Sequence, residues 1–486
     1  MRLAVASLIA ASVVASSGEV PKIDSLFPAG GQSGSEFEVS VTGTLKPWPL
    51  SAVCEDPRIT FVPIEKEEGK FRVKIGADVE PGASLVRFFN ADGSAAPRQF
   101  VVGAAAERTQ TGTELLEIAG AELPLMLNGK LESGGDVDRF AIDLQAGQIL
   151  VADVVAYAID SPLDPLLHLC APSGERLAFN HDATPIGLDP RLVFKAPAAG
   201  RYELQLSAFA YPPQANIRFA GGASAIYRLK LSNGLPEIAL PDAREAEGEE
   251  AQEVSVPAEI GGRIEPAGDV DRFKFSAKKG EIFRIEVVAA QIGSWMDAVL
   301  VIEDSAGKES KRQDDIDSKT QHDVSLDWTA PSDGAFVAKV MDLNGVGGAE
   351  IAYQFQIARL EPSFSVTSST SVVAVTAGEK VDLAVKAARH HGYKGELEVG
   401  IRSLPDGVTA APVAVAEKGG EVKLSIVADA SAAPSNGPIS IWIAPKGAKP
   451  EERVDGEFEL KGVSADAGDL LVNRTNRAWL TVLAKK

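Results

Sequence analysis

The chain has 486 residues, of which 45% are hydrophobic and only 6% are aromatic. At about 100–200 residues per domain, this length predicts several domains, each with enough apolar residues for a core of its own. The formal net charge is −20, from 68 acidic and 48 basic side chains. This charge argues against nucleic acid and anionic membrane surfaces as partners, because like charges repel.

Residues 1–17 have the pattern of a secretory signal peptide. Arg2 precedes an apolar run from Leu3 to Val14, and the small residues Ala15 and Ser17 stand where signal peptidase requires small side chains. The run is shorter than the roughly 20 residues that a membrane-spanning helix needs. We therefore predict cleavage after residue 17, secretion to the periplasm or cell surface, and no stable membrane span.

From residue 18 onward, apolar and polar residues alternate in short segments. Phe37-Glu38-Val39-Ser40-Val41 shows the pattern, which is typical of an antiparallel strand with one buried face. The same alternation recurs in Phe71–Ile75, Phe140–Leu144, Tyr202–Leu206, Phe283–Val287, Tyr353–Ile357 and Val422–Ile426. Turn signals such as Asn233-Gly234 separate these segments, and no amphipathic helix follows the signal peptide. The sequence therefore predicts an all-β fold of tandem β-sandwich domains.

The middle half of the chain contains an internal repeat. Gly135-Asp136-Val137-Asp138-Arg139-Phe140 recurs letter for letter 133 positions later, at residues 268–273. Further matches hold this offset, or an offset of 134 after one inserted residue: Gly147 with Gly280, Ser161 with Ser294, Asp164 with Asp297, Asp182 with Asp315, Asp189 with Asp323 and Gly200 with Gly334. Such a register indicates a duplicated domain, at residues 105–235 and 236–361. Flanking domains at residues 18–104 and 362–486 have the size of immunoglobulin-like sandwiches.

The repeated unit carries a composite motif: Gly135–Phe140, Ser161–Pro165, Asn180–Asp182 and Ala199–Tyr202. With these residues it resembles the bacterial pre-peptidase C-terminal domain, over about half the chain. The second copy departs from the pattern, because Trp295 replaces the proline at position 162 and Ala335-Phe336 replaces Arg201-Tyr202. The resemblance implies a small jelly-roll-like sandwich of the kind appended to secreted proteases, without catalytic residues of its own.

The flanking domains carry weaker motifs. Residues 18–104 contain Phe27–Gly31, Val41–Gly43 and Phe100–Gly103, and they resemble an IPT/TIG-type immunoglobulin-like domain. Residues 362–486 contain Gly392–Leu397 and Leu404–Val408, and they resemble immunoglobulin-like domains of bacterial envelope proteins. The whole arrangement looks like large secreted proteins of planctomycete-type bacteria.

Eight aspartates recur in register between the two copies and are the candidate metal ligands. They are Asp136, Asp138, Asp164 and Asp182 in the first copy, and Asp269, Asp271, Asp297 and Asp315 in the second. Ca²⁺ takes six to eight oxygen ligands, which clustered carboxylates supply, and the resemblance adds that some family members bind calcium. The alternative is structural, with each aspartate capping a turn or accepting backbone N–H bonds. No contiguous EF-hand loop is present in the sequence, and both alternatives stay open.

Motifs for catalysis are missing from the sequence. It contains no His-Glu-x-x-His, no Gly-x-Ser-x-Gly and no phosphate-binding glycine loop. Cys54 and Cys170 are too few for a cysteine-rich zinc site. We expect two buried free thiols, with an interdomain disulfide as the alternative. The pair His390-His391 precedes a Gly-Tyr turn and is interpreted as part of a solvated loop.

These observations predict a secreted interaction or scaffold protein of the bacterial cell envelope that is not an enzyme. Its expected partners are envelope proteins or extracellular polysaccharide. One alternative is a carbohydrate-binding accessory protein, in which Trp48 or Trp295 stacks on sugar rings from an exposed loop, although packing at a domain junction is commoner for such residues. A second alternative is a non-catalytic component of a secreted protease or hydrolase system.

Overall fold

The computed structural model describes residues 18–110, 112, 114–183, 188–211, 218–234, 238–246, 248, 250–316, 323–462 and 470–485. Within these ranges the chain forms β-strands and four short 3₁₀ turns, with no α-helix, so the predicted all-β fold class is confirmed. No helix in this part of the chain has the length and apolarity to cross a bilayer. The predicted signal peptide lies outside the described residues.

Module 1 (residues 18–104) is a sandwich of two sheets with the strand orders β1-β3-β6-β5 and β2-β9-β7-β4. Its strands are β1 (Lys22–Phe27), β2 (Gly30–Gln32), β3 (Glu36–Thr44), β4 (Ser51–Cys54), β5 (Ile59–Pro63), β6 (Lys70–Ile75), β7 (Gly82–Asn90), β8 (Gly93–Ser94) and β9 (Arg98–Gly103). The alternation in β3 buries Val39 and Val41. They join a core in which the rings of Phe71 and Phe88 meet edge to face, 5.1 Å apart.

Module 2 (residues 105–235) has two five-stranded sheets, ordered β10-β12-β19-β14-β17 and β11-β13-β18-β15-β16. Its strands are β10 (Ala106–Thr109), β11 (Leu116–Ile118), β12 (Leu125–Lys130), β13 (Asp138–Leu144), β14 (Ile149–Val155), β15 (Leu163–Cys170), β16 (Arg176–Asn180), β17 (Arg191–Lys195), β18 (Gly200–Ala210) and β19 (Ile226–Asn233). Alternate residues of each central strand fill the space between the sheets, as Phe140, Ile142 and Leu144 do in β13.

Module 3 (residues 236–361) has the sheets β20-β22-β27-β24-β25 and β21-β28-β23-β26. Its strands are β20 (Gln252–Glu253), β21 (Ala258–Arg263), β22 (Asp271–Ala277), β23 (Ile282–Val288), β24 (Ala298–Asp304), β25 (Glu309–Gln313), β26 (Val324–Thr329), β27 (Gly334–Asp342) and β28 (Ala352–Leu360). These orders follow those of module 2 strand for strand, except that a single bridge between Arg244 and Gly261 stands in place of β10.

Module 4 (residues 362–486) has the sheets β33-β35-β31-β29-β38-β39 and β30-β40-β36-β32-β34, and β37 pairs with β36. Its strands are β29 (Ser363–Ser368), β30 (Val372–Thr376), β31 (Lys380–His390), β32 (Leu397–Arg402), β33 (Val408–Thr409), β34 (Val413–Val415), β35 (Gly420–Ala428), β36 (Ser435–Pro445), β37 (Val454–Asp455), β38 (Glu457–Gly462), β39 (Leu470–Thr475) and β40 (Ala478–Leu483). Its core contains Leu424, Ile441 and Phe458.

Module 1 contacts both module 2 and module 4. Toward module 2, Ala29 packs with Ile159 and Ile226 in a small buried cluster. Toward module 4, the ring of Phe89 lies 4.7 Å from the ring of Trp479. We call these two contact regions the 1–2 seam and the 1–4 seam.

Module 3 completes the set of contacts between modules. Nη1 of Arg191 in module 2 donates to the carbonyl oxygen of Gly293 in module 3, at 2.9 Å. His391 of module 4 was interpreted as part of a solvated loop. It does follow β31 at a turn, but its side chain is only 12% exposed and lies 3.7 Å from the carboxylate of Asp327 in module 3. Each module therefore contacts two others, and the contacts close into a ring.

Candidate cation site

The structure brings Asp164 and Asp182 of module 2 together with His181. A ligand atom from each of the three lies within 4.8 Å of the others, and no other group of three or more metal-ligating side chains meets this condition among the described residues. Asp164 lies near the start of β15, and His181 and Asp182 follow directly after β16. Because β15 and β16 pair as an antiparallel hairpin, the start of one strand adjoins the end of the other.

The imidazole of His181 lies between the two carboxylates. Its Nε2 is 3.0 Å from Oδ1 of Asp164, and its Nδ1 is 3.8 Å from Oδ2 of Asp182. Burial raises the pKa of Asp164, although His181 opposes this shift. The imidazole also contacts the ring of Phe209 edge to face, with centroids 6.2 Å apart. Asp164 and His181 are half-buried and Asp182 is exposed, and the side of the cluster next to Phe209 is apolar.

The donor set decides which cation these residues fit. One imidazole nitrogen with two carboxylates matches the ligands of Zn²⁺ and other first-row transition ions. Ca²⁺ takes six to eight oxygen ligands, of which the cluster supplies only those of Asp164 and Asp182. A transition ion therefore fits this group better than calcium does.

The corresponding residues of module 3 are arranged differently. The backbone N–H of Asp297 donates to Oδ2 of Asp342 at 2.8 Å, and its own Oδ2 accepts from Asn344 at 3.3 Å. The backbone carbonyl of Asp315 accepts a hydrogen bond from Gln313. Asp314 stands where module 2 has His181, so the imidazole that lies between the two carboxylates in module 2 has no counterpart.

Asp136 and Asp138 lie away from the cluster and bind protein groups. Asp138 is fully buried and accepts a hydrogen bond from the hydroxyl of Tyr227. Burial is the main reason that the pKa of Asp138 rises to about 7. The carboxylate of Asp136 accepts the backbone N–H of Glu132 at 2.7 Å.

In module 3, Asp271 repeats the arrangement of Asp138 with one addition, whereas Asp269 has a different partner from that of Asp136. The hydroxyl of Tyr353 donates to Asp271 at 2.6 Å and also lies 2.8 Å from a carboxylate oxygen of Glu245. Burial, together with the neighbouring Glu245, raises the pKa of Asp271 to about 8. Asp269 accepts the backbone N–H of Val270 at 2.7 Å.

The two tyrosines that bind the carboxyl groups of Asp138 and Asp271 were not predicted from the sequence. Each tyrosine lies directly across the strand pair from a glycine, Tyr227 from Gly129 and Tyr353 from Gly262. A Cβ on Gly129 would lie 2.0 Å from the Tyr227 ring. The signal was present, since Gly-Lys-Leu-Glu at residues 129–132 matches Gly-Arg-Ile-Glu at residues 262–265 at the offset of 133.

Asp189 and Asp323 are the repeated acids with the clearest structural role. The carboxylate of Asp189 accepts three backbone N–H groups from Ala156–Ala158, at 3.0, 3.0 and 3.4 Å. Asp323 does the same for Ala289–Gln291. Burial nevertheless raises the pKa of Asp189 to about 6. Each residue fixes a 3₁₀ turn: Asp189 the turn that precedes β15 in module 2, and Asp323 the turn that precedes β24 in module 3.

The two tryptophans considered for sugar stacking are half-buried. Trp48 packs edge to face on Phe71 at 5.3 Å and donates its Nε1–H to the carbonyl oxygen of Glu65. Trp295 packs against the core of module 3. Cys54 and Cys170 are both buried and free, as expected from the sequence.

No protein-family model matches the chain, and no curated protein matches it. The fold is similar to the pre-peptidase C-terminal domain of a collagenase from Bacillus anthracis, at 13% identity, covering 23% of this chain and 99% of that domain, with a TM-score of 0.18.

Two multi-domain proteins are similar over more of the chain. One is the Bacteroides ovatus SGBP-B of a mixed-linkage glucan utilization locus, at 10% identity over 69% of this chain and 73% of that one, with a TM-score of 0.15. The other is the surface layer protein SbsC, at 12% identity over 96% of this chain and 55% of that one, with a TM-score of 0.15. At these values the likenesses carry no argument about ligands or partners.

Proposed function

We propose that this chain is a secreted, non-catalytic scaffold or interaction protein of the bacterial cell envelope. The observation that carries the proposal is the set of seams around module 1, which contacts modules 2 and 4 at once. Tandem sandwiches on flexible linkers would show no such contact between the first and the last module. An arrangement held in this way presents the outer surfaces of four sandwiches at fixed relative positions, as a scaffold requires.

The 1–2 seam contains apolar groups whose exposure to water would be unfavourable, together with two ion pairs. Arg228 of module 2 is 1% exposed, and its Nη2 lies 2.8 Å from Oε1 of Glu107. Arg98 of module 1 binds the carboxylate of Asp160 and also donates to its carbonyl oxygen at 3.1 Å. Separating the modules would expose the apolar cluster between them and rehydrate these ion pairs. The seam therefore supports a defined orientation of the two modules.

The partners that we propose are envelope proteins or extracellular polysaccharide. The test is a pull-down of the mature chain, residues 18–486, on insoluble cell-wall and plant polysaccharides and on a detergent-solubilised envelope fraction. Retention on one polymer that soluble oligomers of that polymer compete away would support the carbohydrate-binding form of the proposal. Saturable capture of a single envelope protein would support the scaffold form, and binding to neither would contradict both.

We also propose that the chain has no hydrolytic activity of its own. A panel of casein, gelatin, nitrophenyl esters and nitrophenyl glycosides tests this with the purified protein. Turnover that co-purifies with the chain, and that disappears on substitution of a single residue of this chain, would contradict the proposal.

A second function, cation binding by module 2, is favoured by the group Asp164, His181 and Asp182. We propose that this group binds a divalent transition ion and that calcium binds there more weakly, because the nitrogen ligand suits the former. A ligand that binds only the folded state stabilises it by RT ln(1 + [L]/Kd). Addition of Mn²⁺ or Zn²⁺ after EDTA treatment should therefore raise the unfolding midpoint by several degrees, more than Ca²⁺ does.

The matched control for this experiment is His168→Ala. His168 lies on the same strand as Asp164, and its ring contacts the ring of Phe179 at a tilt, with centroids 4.9 Å apart. His181→Ala should abolish the shift and His168→Ala should keep it. Equal shifts in both variants, or a larger shift with Ca²⁺ that survives His181→Ala, would contradict this assignment.

A further inference from the structure

The 1–4 seam contains a buried guanidinium that no carboxylate neutralises directly. Arg87 of β7 is 7% exposed, and its Nη1 donates to the carbonyl oxygen of Ala95 at 3.2 Å. Within the described parts of the chain, Arg87 forms no ion pair and no hydrogen bond with a carboxylate, and Glu55 acts on it only at a distance. Burying a charge without a counter-charge is unfavourable, so this position calls for an anion.

The 1–2 seam provides the comparison. There Arg228 is buried even more completely, but Glu107 of the same module forms an ion pair with it at 2.8 Å. The carboxylate with the largest electrostatic effect on Arg87 is that of Glu55, which interacts with it by charge alone, without a hydrogen bond. Oε1 of Glu55 accepts the hydroxyl of Thr475 from module 4. The two seams thus differ in whether the buried arginine has a directly bound carboxylate.

A cavity adjoins Arg87 where modules 1 and 4 meet. Its volume is about 90 Å³, enough for a few water molecules. The lining includes Cys54, Glu55, Arg87, Pro438, Arg477 and Trp479. The guanidinium carbon of Arg87 lies 5.8 Å from the centroid of the Trp479 ring, which forms one wall. The buried guanidinium of Arg87 therefore adjoins a small, partly open space, and the exposed Arg477 of module 4 also contributes to its lining.

We propose that this cavity binds a small monovalent anion, a halide or a carboxylate, which Arg87 and Arg477 hold between modules 1 and 4. The anion supplies the counter-charge that Glu107 supplies at the 1–2 seam, and it links the first module to the last. Burial lowers the pKa of Arg87 to about 10, so the side chain is cationic at neutral pH. The inference goes beyond the proposed scaffold function and does not depend on it.

Iodide is the probe, because it quenches tryptophan fluorescence and Trp479 is part of the wall. In the full mature chain, titration with sodium iodide should show a saturable quenching component with half-saturation at millimolar concentration, above the linear collisional background. This component should be absent in Arg87→Gln and in Trp479→Phe. Arg402→Gln, an exposed arginine of module 4 that pairs with Asp455, is the matched control and should keep it.

Glu55→Gln tests the same cavity with Arg87 in place, so the proposal can still be tested if Arg87→Gln does not fold. Removal of the negative charge from the cavity wall should tighten iodide binding several-fold while Arg87 stays in place. Competition by sodium chloride and by sodium acetate distinguishes a halide site from a carboxylate site, and displacement of iodide by either supports the proposal. The proposal is wrong if quenching is linear in the wild type, if Glu55→Gln weakens it, or if neither chloride nor acetate competes.

Discussion

At the residue scale, the repeated aspartates Asp138, which is buried, and Asp271, which is half-buried, are proton-binding groups as well as hydrogen-bond acceptors. Asp138 and Asp271 each accept the hydroxyl of a buried tyrosine. Burial raises their pKa values to about 7 and about 8, and it also raises the pKa of Tyr227 and Tyr353. The folded protein therefore keeps protons on acids that an unfolded chain would ionise near pH 4.

We expect this difference to make stability depend on pH. An acid whose folded pKa exceeds its unfolded pKa of about 3.9 stabilises fully below that value, and the contribution is lost as the pH rises through the folded pKa. Relative to Asp138→Asn, the wild type should lose stability between about pH 4 and pH 7, by at most ~4 kcal/mol, and no more above that range. Calorimetry of both proteins over this range measures the effect.

The control is Asp143→Asn, on the same strand as Asp138 but exposed. Its unfolding midpoint should follow that of the wild type at every pH. A parallel pH dependence in the wild type and Asp138→Asn would show that Asp138 ionises normally in the folded protein.

Asp189 should contribute to stability through its backbone bonds. Asp189→Ala leaves three N–H groups of the turn Ala156–Ala158 without their acceptor, at a cost of about 1–3 kcal/mol. Asp189→Asn keeps one acceptor oxygen, so its stability should lie between that of the wild type and that of Asp189→Ala. Hydrogen exchange of these amides, together with the unfolding midpoint, checks the prediction. Unchanged exchange in Asp189→Ala would contradict it.

At the scale of elements, a strand pair and a turn show how the two similar modules adapt to their surroundings. The residue that ends the 3₁₀ turn is left-handed in both, with φ of 79° at Gly293 and 56° at Asp160. Glycine adopts this conformation without strain. Module 2 has Asp160 instead, and its carboxylate binds Arg98 across the 1–2 seam. At this position an aspartate in a left-handed conformation, which glycine would adopt with less strain, forms a contact between modules.

The glycines opposite the buried tyrosines should not tolerate a side chain. In Gly129→Ala the new Cβ would meet the Tyr227 ring at 2.0 Å, so the ring must move away from Asp138. Overpacking of this kind costs about 1–3 kcal/mol. Gly437→Ala is the control, because Gly437 also lies in a strand but a Cβ there meets no atom within 4 Å. Equal unfolding midpoints for the two variants would contradict the prediction.

At the scale of the whole molecule, stability depends on the seams as well as on the four cores. Arg228 fits the 1–2 seam because Gly30 of module 1 has no side chain there, since a Cβ would lie 2.1 Å from Nη1 of Arg228. Glu107 provides the single ion pair that neutralises it. The seam thus combines close backbone approach with one buried charge pair.

Glu107→Gln should therefore destabilise strongly. Removing one partner of a buried pair leaves an uncompensated charge, at a cost of about 3–5 kcal/mol. We expect a lower unfolding midpoint and a larger radius of gyration in small-angle scattering as the seam loosens. Glu396→Gln, which breaks the exposed pair with Lys446, is the control and should change little. If Glu107→Gln scatters and melts like that control, the seam does not hold the modules.

The sequence by itself determined the fold class and the positions of strands such as β3, β6 and β13, because the alternation of apolar and polar residues is a local pattern. The 133-residue offset is not local, but it too can be read along a single chain. The sequence also singled out Asp164 and Asp182, which the β15–β16 hairpin brings together. It did not identify Tyr227 or Tyr353, which reach their aspartates only when the two sheets of a module pack face to face, or Glu245, which reaches Tyr353 from a segment outside both strands. The structure alone decided how the modules contact one another, since Arg87 becomes a buried cation only when module 4 packs beside it. The alternation of apolar and polar residues indicates which face of a strand is buried in its own domain, but it does not indicate which other domain packs on the outer surface.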